Sequence, residues 1–189
     1  MSAPTELMAP PQAVEAEQSV LGGLLLDARA WDRVSDVLIE GDFYADAHRR
    51  IWRHIAQAAE RGRPVDVVTI AESIEATGES IATGGLAYLG DLANNTPGAT
   101  NIRRYAEIVR ERATLRRLQA AGLDLHAACS NPAGRKPEEL AAIAESAMLA
   151  AIDRAAGDPV SLADAFGEAL VYVDSRGEAG GLTTGFRDF

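Results

Sequence analysis

Residues 101–130 read NIRRYAEIVRERATLRRLQAAGLDLHAACS, then NPAG at 131–134, then PEELAAIAESAMLAAI at 137–152. The first stretch has no proline and only one glycine, Gly122, so one long helix is expected from Asn101 to about Ser130. Its apolar stripe is Tyr105, Ile108, Leu115, Leu118, Leu125 and Cys129, with Ala121 and Gly122 filling the gap. Asn131-Pro132-Ala133-Gly134 is a turn. Pro137 suits the first turn of a second helix, with Glu138 and Glu139 where the helix dipole favours anions. Its stripe is Leu140, Ile143, Ala147, Met148 and Ala151. Two long helices on a short connector form an antiparallel hairpin, assigned to residues 101–154. At about 1.5 Å per residue the first arm is roughly 40 Å long. It overhangs a globule of some 95 residues, whose radius of gyration is about 12–13 Å. The overhanging stripes need cover from outside the domain, and the expected cover is another subunit's hairpin.

Before the hairpin, residues 13–100 read as a helical globule with about five short helices. Val20, Leu21, Leu24 and Leu25 recur at helical spacing. A short helix is expected around Trp31, Val34 and Leu38, ending at Gly41. Asp42-Phe43-Tyr44 turns the chain into a helix carrying His48, Ile51, Trp52, Ile55 and Ala59, which ends at Gly62. Asp66 caps the next, with Val67, Ile70 and Ile74 on one face and Gly78 closing it. Gly84 and Gly85 open a last short helix with Leu86, Leu89 and Leu92. Residues 1–12 are expected to be a disordered tail.

After the hairpin, residues 155–181 read as a linker broken by Gly157 and Pro159. It holds an amphipathic helix capped by Ser161. Leu162, Phe166 and Leu170 form its apolar face, a docking element for a groove elsewhere. Residues 182–189 begin a new apolar segment. The predicted class is therefore all-α: a multi-helix globule, a long helical hairpin and a separate linker helix.

Composition narrows the function. The chain has 189 residues, 47% hydrophobic and 5% aromatic, with net charge −10 from 18 basic and 28 acidic side chains. That balance opposes nucleic-acid binding by the chain as a whole and favours protein partners. One cysteine cannot form an internal disulfide, which fits a reducing cytoplasm; Cys129 is expected to be a small buried filler. The amino terminus lacks the pattern of a signal peptide, and no run near 20 apolar residues exists, so a cytoplasmic protein is expected.

No catalytic motif stands out. Lys136, the only lysine, lies in no G-x-x-x-x-G-K-[ST] loop. There is no H-E-x-x-H and no Cys/His cluster, so no metal site is expected. His48 and Asp66 make a conceivable acid–base pair, but they read better as a core residue and a helix cap. The glycines from Gly177 to Gly185 read as a hinge, lacking the strand–loop–helix context of a nucleotide loop. Arg103, Arg104, Arg110, Arg112, Arg116 and Arg117 are spread around the long helix, interleaved with Glu107 and Glu111. They read as a solvated, ion-paired face. Arg110, Arg112, Arg116 and Arg117 are candidate partner-facing charges. The alternative is a free-standing single-stranded-DNA-binding module built on the Arg103–Arg117 helix.

Five strings together carry a resemblance: EAEQSVLGGLLLD (15–27), DFYADAHRRIW (42–52), RPVDVVTI (63–70), GGLAYLGDL (84–92) and NIRRYAEIV (101–109). In this order and spacing they resemble the amino-terminal domain of DnaB-type replicative DNA helicases. The tail GLTTGFRDF (181–189) is similar to the segment that opens that family's RecA-like ATPase motor. The resemblance implies a globule plus hairpin whose hairpins pair into dimers. Three dimers then form the collar of a hexameric ring, which docks the carboxy-terminal domain of primase and, in some bacteria, a loader. Carried over by position, Tyr105, Ile108, Leu115, Leu118, Leu125, Leu140, Ile143 and Ala147 serve hairpin pairing. Leu162, Phe166 and Leu170 anchor the linker helix. ATP and Mg belong to the motor, so this chain is expected to hold no cofactor and catalyse nothing.

Overall fold

Apolar residues at helical spacing make α1 (Val14–Leu26) the centre of the globule. Val20, Leu21 and Leu24 are fully buried, and neighbouring glycines let other helices come close. A Cβ on Gly22 would collide with Thr96 Oγ1 and the Leu92 carbonyl, and one on Gly23 would press on Ile102 Cδ1 at 3.1 Å. The glycine pair is thus the surface on which the end of α5 (Gly85–Asn95) and the start of α6 (Ile102–Ser130) seat. α2 (Asp46–Glu60) also packs on α1, while α3 (Val67–Ala76) and the four-residue α4 (Ser80–Thr83) pack on α2 and α5; α7 (Pro137–Ile152) returns along α6.

The structure, a computed structural model, describes residues 10–152, which are all-helical with seven α-helices and no strand among them. The linker-helix residues Leu162, Phe166 and Leu170, the segments 155–181 and 182–189, and most of the tail at 1–12 lie outside the described residues.

The core joins α1 to Ile51, Trp52 and Ile55 of α2, Ile70 and Ile74 of α3, Leu89 and Leu92 of α5, and Ile102, Ala106 and Val109 of α6. Trp52 stacks at a tilt between Trp31 and Phe43, each ring centroid 5.1 Å away. The segment between α1 and α2 differs from expectation. Instead of one α-helix around Trp31–Leu38 it makes a 3-10 helix at Ala28–Arg33, a turn, and a second 3-10 helix at Glu40–Asp42. The short rise of such turns sends Ala30, Val34, Val37, Leu38 and Phe43 into the core from a tight space. Asp27 opens the first turn by accepting from the Arg29 amide at 3.1 Å.

Local signals place the other boundaries. Asp66 caps α3, its Oδ1 accepting from the Val68 and Thr69 amides at 2.9 Å each. Gly62, Gly78 and Gly84 close α2, α3 and α4 with φ of 64°, 73° and 80°, the left-handed region that glycine enters freely. Glu79, just ahead of α4, ties this corner to α2. It accepts from Arg50 at 2.7 Å and meets His54 Nε2 at 3.0 Å. The His54 hydrogen bond, with Arg53 and Arg50 nearby, holds its carboxyl below the usual range against the opposing effect of burial.

Among the described residues the hairpin consists of α6, a connector at 131–136 and α7. Of α6 only Ile102, Ala106, Val109 and Ala113 are buried, a stripe confined to its first three turns, which lie on the globule. The connector turns through Ala133 and Gly134, with φ of 50° and 82°. The return is antiparallel, with Arg117 of α6 beside Ala151 of α7.

Candidate assembly and docking surface

α7 carries charge only at Glu138, Glu139 and Glu145; most of the rest is alanine or a larger apolar residue. Only Leu140 and Ala151 are buried on it. At about 100° per residue, Leu140, Ala147 and Ala151 share the face turned to α6. Ile143 lies beside that face, Met148 and Ile152 flank it on the other side, and Leu149 points directly away. Ile143 is 52% exposed, Met148 41%, and Leu149 and Ile152 60% each. A helix apolar on nearly every side belongs in an interior, yet one side of this one meets α6 and the others meet none of the described residues closely enough to be buried. Leu115 and Leu123 extend the exposed apolar surface onto α6.

The residues expected to form this surface divide. Leu115 and Ile143 are exposed on it, and Leu118, Leu125 and Ala147 are half-buried along the hairpin. Leu140 is spent inside the hairpin seam. Tyr105 and Ile108 are half-buried: they pack on the globule's core and line an open groove of ≈ 590 Å³ with Gln12, Ala13 and Val14. Leu123, Leu149 and Ile152 were missed; Leu149 and Ile152, three apart, fell outside a reading that followed one stripe per arm. Cys129 is exposed, contrary to expectation, because it lies beyond the reach of the globule on an arm that α7 covers from one side only.

The arginines divide too. Arg103 pairs with Asp36 at 3.5 Å and with Glu107 at 3.9 Å, and Arg104 pairs with Glu107 at 3.2 Å. This is the ion-paired face expected there. Arg110 and Arg112 are half-buried. Arg116 and Arg117 do not reach outward as expected of partner-facing charges; both fold back onto the globule. Arg116 donates to the Pro11 and Asp42 carbonyls and lies 5.6 Å over the Tyr44 ring. Arg117 pairs with Asp42 Oδ1 at 3.0 Å. The cause is Asp42: fully buried, it needs a cation, and α6 passes within reach.

A second buried polar group escaped the sequence reading. Glu17, 1% exposed, accepts from the Tyr44 amide at 2.6 Å and the Ala45 amide at 3.3 Å, and meets His48 Nδ1 at 2.7 Å. His48 Nε2 meets Tyr88 Oη at 2.7 Å, and Gln18 Nε2 donates to the same phenol oxygen at 3.3 Å. The two ring nitrogens of His48 thus bridge the Glu17 carboxylate and the Tyr88 hydroxyl. This network joins α1, α2 and α5 where they meet. His48 is thus the core residue expected, and its partner is Glu17 rather than Asp66.

The DnaB-like helicase N terminal domain family model matches residues 9–111. The chain belongs to this family. The replicative DNA helicase DnaB of Buchnera aphidicola subsp. Baizongia pistaciae is 40% identical over 139 residues, covering 74% of this chain and 30% of that protein. The replicative DNA helicase DnaB of Geobacillus stearothermophilus is 45% identical over 109 residues, covering 58% of this chain and 24% of that protein. The chain thus spans less than a third of the length of these curated relatives. Among solved structures, the N-terminal domain of DnaB helicase from Mycobacterium tuberculosis matches with a TM-score of 0.71 at 39% identity, covering 74% of this chain and 98% of that one. A DnaB-like replicative helicase, solved in a study of its interactions with primase, matches with a TM-score of 0.61 at 20% identity, over 90% of this chain and 36% of that one. This second match bears on fold alone. The DnaB N-terminal fold therefore covers globule and hairpin, although the family match at 9–111 stops short of α7.

Proposed function

We propose that this chain is the collar module of a ring-shaped replicative DNA helicase. It joins subunits through paired hairpins, three pairs to a hexamer, and receives the carboxy-terminal domain of primase and, where one is used, a loader. The whole protein would unwind DNA in the cytoplasm with ATP and Mg held by a motor outside this chain, while this part assembles and docks. The observation that carries the reading is α7, apolar on nearly every side and buried on one. The family's helicases give the surface its context. Among the described residues no helix is long and apolar enough to cross a membrane, which leaves a protein surface as the natural cover for α7.

The test is light-scattering mass of the chain across a concentration series, alone and with the cognate primase's carboxy-terminal domain. Dimers or hexamers that gain mass with the primase domain are expected. A monomer at every concentration that takes up no primase domain would overturn the reading for this chain.

A further inference from the structure

Arg116 and Arg117 are successive residues of α6, and between them they reach three separate parts of the chain. Arg116 donates to the Pro11 carbonyl at 2.9 Å, where the described chain enters the globule, and to the Asp42 carbonyl at 2.6 Å. Arg117 is a three-way fork. Its Nη1 reaches Asp42 Oδ1 at 3.0 Å, its Nη2 reaches Thr114 Oγ1 at 3.2 Å, and its Nε donates to the Ala151 carbonyl at 3.2 Å. Asp42 Oδ2 also accepts from the Ile39 amide at 3.0 Å. Asp42 and the two arginines together thus gather the entry to the globule, the middle of α6 and the end of α7.

The position of Ala151 gives the arrangement a consequence. Its carbonyl is among the last of α7, where carbonyls lack partners within the helix unless the helix continues. Arg117 supplies one. The end of α7 is therefore bonded to the same guanidinium that holds Asp42. The bonds are directional, since a planar fork reaches three acceptors only in one orientation. They sit where α6 leaves the globule, because α6 is buried on it up to Ala113 and projects beyond it. Burial pushes the Arg116 guanidinium below its usual value, Glu17 and Asp42 opposing and Arg49 and Arg117 reinforcing.

We propose that Asp42, Arg116 and Arg117 form a clasp that fixes the angle between hairpin and globule and ties the end of α7 to both. The clasp lies within one chain, so it stands whether or not hairpins pair between copies.

The test uses the full 189-residue chain. Cys129, exposed and the only cysteine, takes one spin label on the projecting arm. Glu75→Cys, an exposed site on α3, takes the other. Labelled protein is diluted in unlabelled protein, so that only distances within a chain are read. The parent is expected to give one narrow distance distribution. Arg117→Met keeps the apolar stem and removes the fork. It should broaden the distribution and speed amide exchange over residues 148–152 about tenfold, the effect of one net hydrogen bond. Arg117→Lys keeps a charge for Asp42 but not the fork. It should speed the same exchange while broadening the distribution less, and it serves if the methionine variant does not fold. A distribution as narrow as the parent's in folded Arg117→Met, or in Arg117→Lys with exchange unchanged, overturns the proposal. Arg117 would then be an ion pair that adds stability without setting the angle.

Discussion

At the scale of single residues, Asp66 and Glu17 differ in how far their chemistry reaches. Asp66 bonds amides two and three positions ahead, and its Oδ2 also accepts from the Thr69 hydroxyl at 2.9 Å. These bonds hold its carboxyl below the usual range, the Thr69 amide most, against the opposing effect of burial. A depressed folded-state pKa means that the stabilisation is complete above the unfolded value near 3.9 and is lost as pH falls through the folded one. Asp66→Ala should therefore cost about 1 kcal/mol at neutral pH, the usual worth of a cap, and progressively less in acid. Urea unfolding of both proteins across pH checks this, and a difference that stays constant down to pH ~2 would refute it. Such a cap is legible in sequence because both partners lie within one turn. Glu17 is not: it lies near the start of α1, and its partners are 27 to 31 positions away. The same holds for Asp42, which finds Arg117 75 positions on. Burial of a charge is decided by what passes overhead, and a single sequence carries no record of that.

At the scale of elements, periodicity located α1, α2, α3, α5, α6 and α7 because a helix reports its own repeat. It did not reveal the two 3-10 turns or α4, each too short to show a period. For the hairpin it identified the arms but misjudged which side of each is covered. Tyr105 and Ile108 lie on the turns of α6 that touch the globule, and only the globule's size and placement settle where that contact ends. The structure separates two kinds of apolar residue on α7. Leu140, 7% exposed, closes the hairpin itself, so Leu140→Ala should cost about 2–3 kcal/mol through lost packing. Leu149 contributes little to the single chain. Leu149→Glu, with Ile143→Glu, should keep the parent's helicity while lowering its light-scattering mass, because charge enters an apolar contact only when copies meet, and should lower the thermal midpoint only by the part the parent itself loses on dilution. Circular dichroism alongside the mass measurement distinguishes the two classes. Full oligomer mass in the double variant would move pairing off α7.

At the scale of the whole molecule, charge weighs against the single-stranded-DNA reading of the same helix. The stretch 101–130 holds six arginines against Glu107, Glu111 and Asp124, the excess on which the alternative DNA-binding reading rests. Folding redistributes those arginines. Arg103 and Arg104 are matched by Asp36 and Glu107 on the surface. Arg116 and Arg117 are turned into the globule, where Asp42 holds both. The track is thereby broken at each end, on a chain whose net charge is −10. Phosphate binding gains chiefly from counterion release, so it needs cations that are exposed and unmatched. Fluorescence anisotropy of a labelled thymidine oligonucleotide should stay flat up to about 100 μM protein in low salt, the weak end of ordinary non-specific affinity. A saturable rise, with log K falling linearly against log salt, would restore the DNA reading. Arg110→Ala with Arg112→Ala should then abolish it, since these two stay clear of both the Asp42 clasp and the Glu107 pairs. A flat isotherm leaves the hairpin to protein partners.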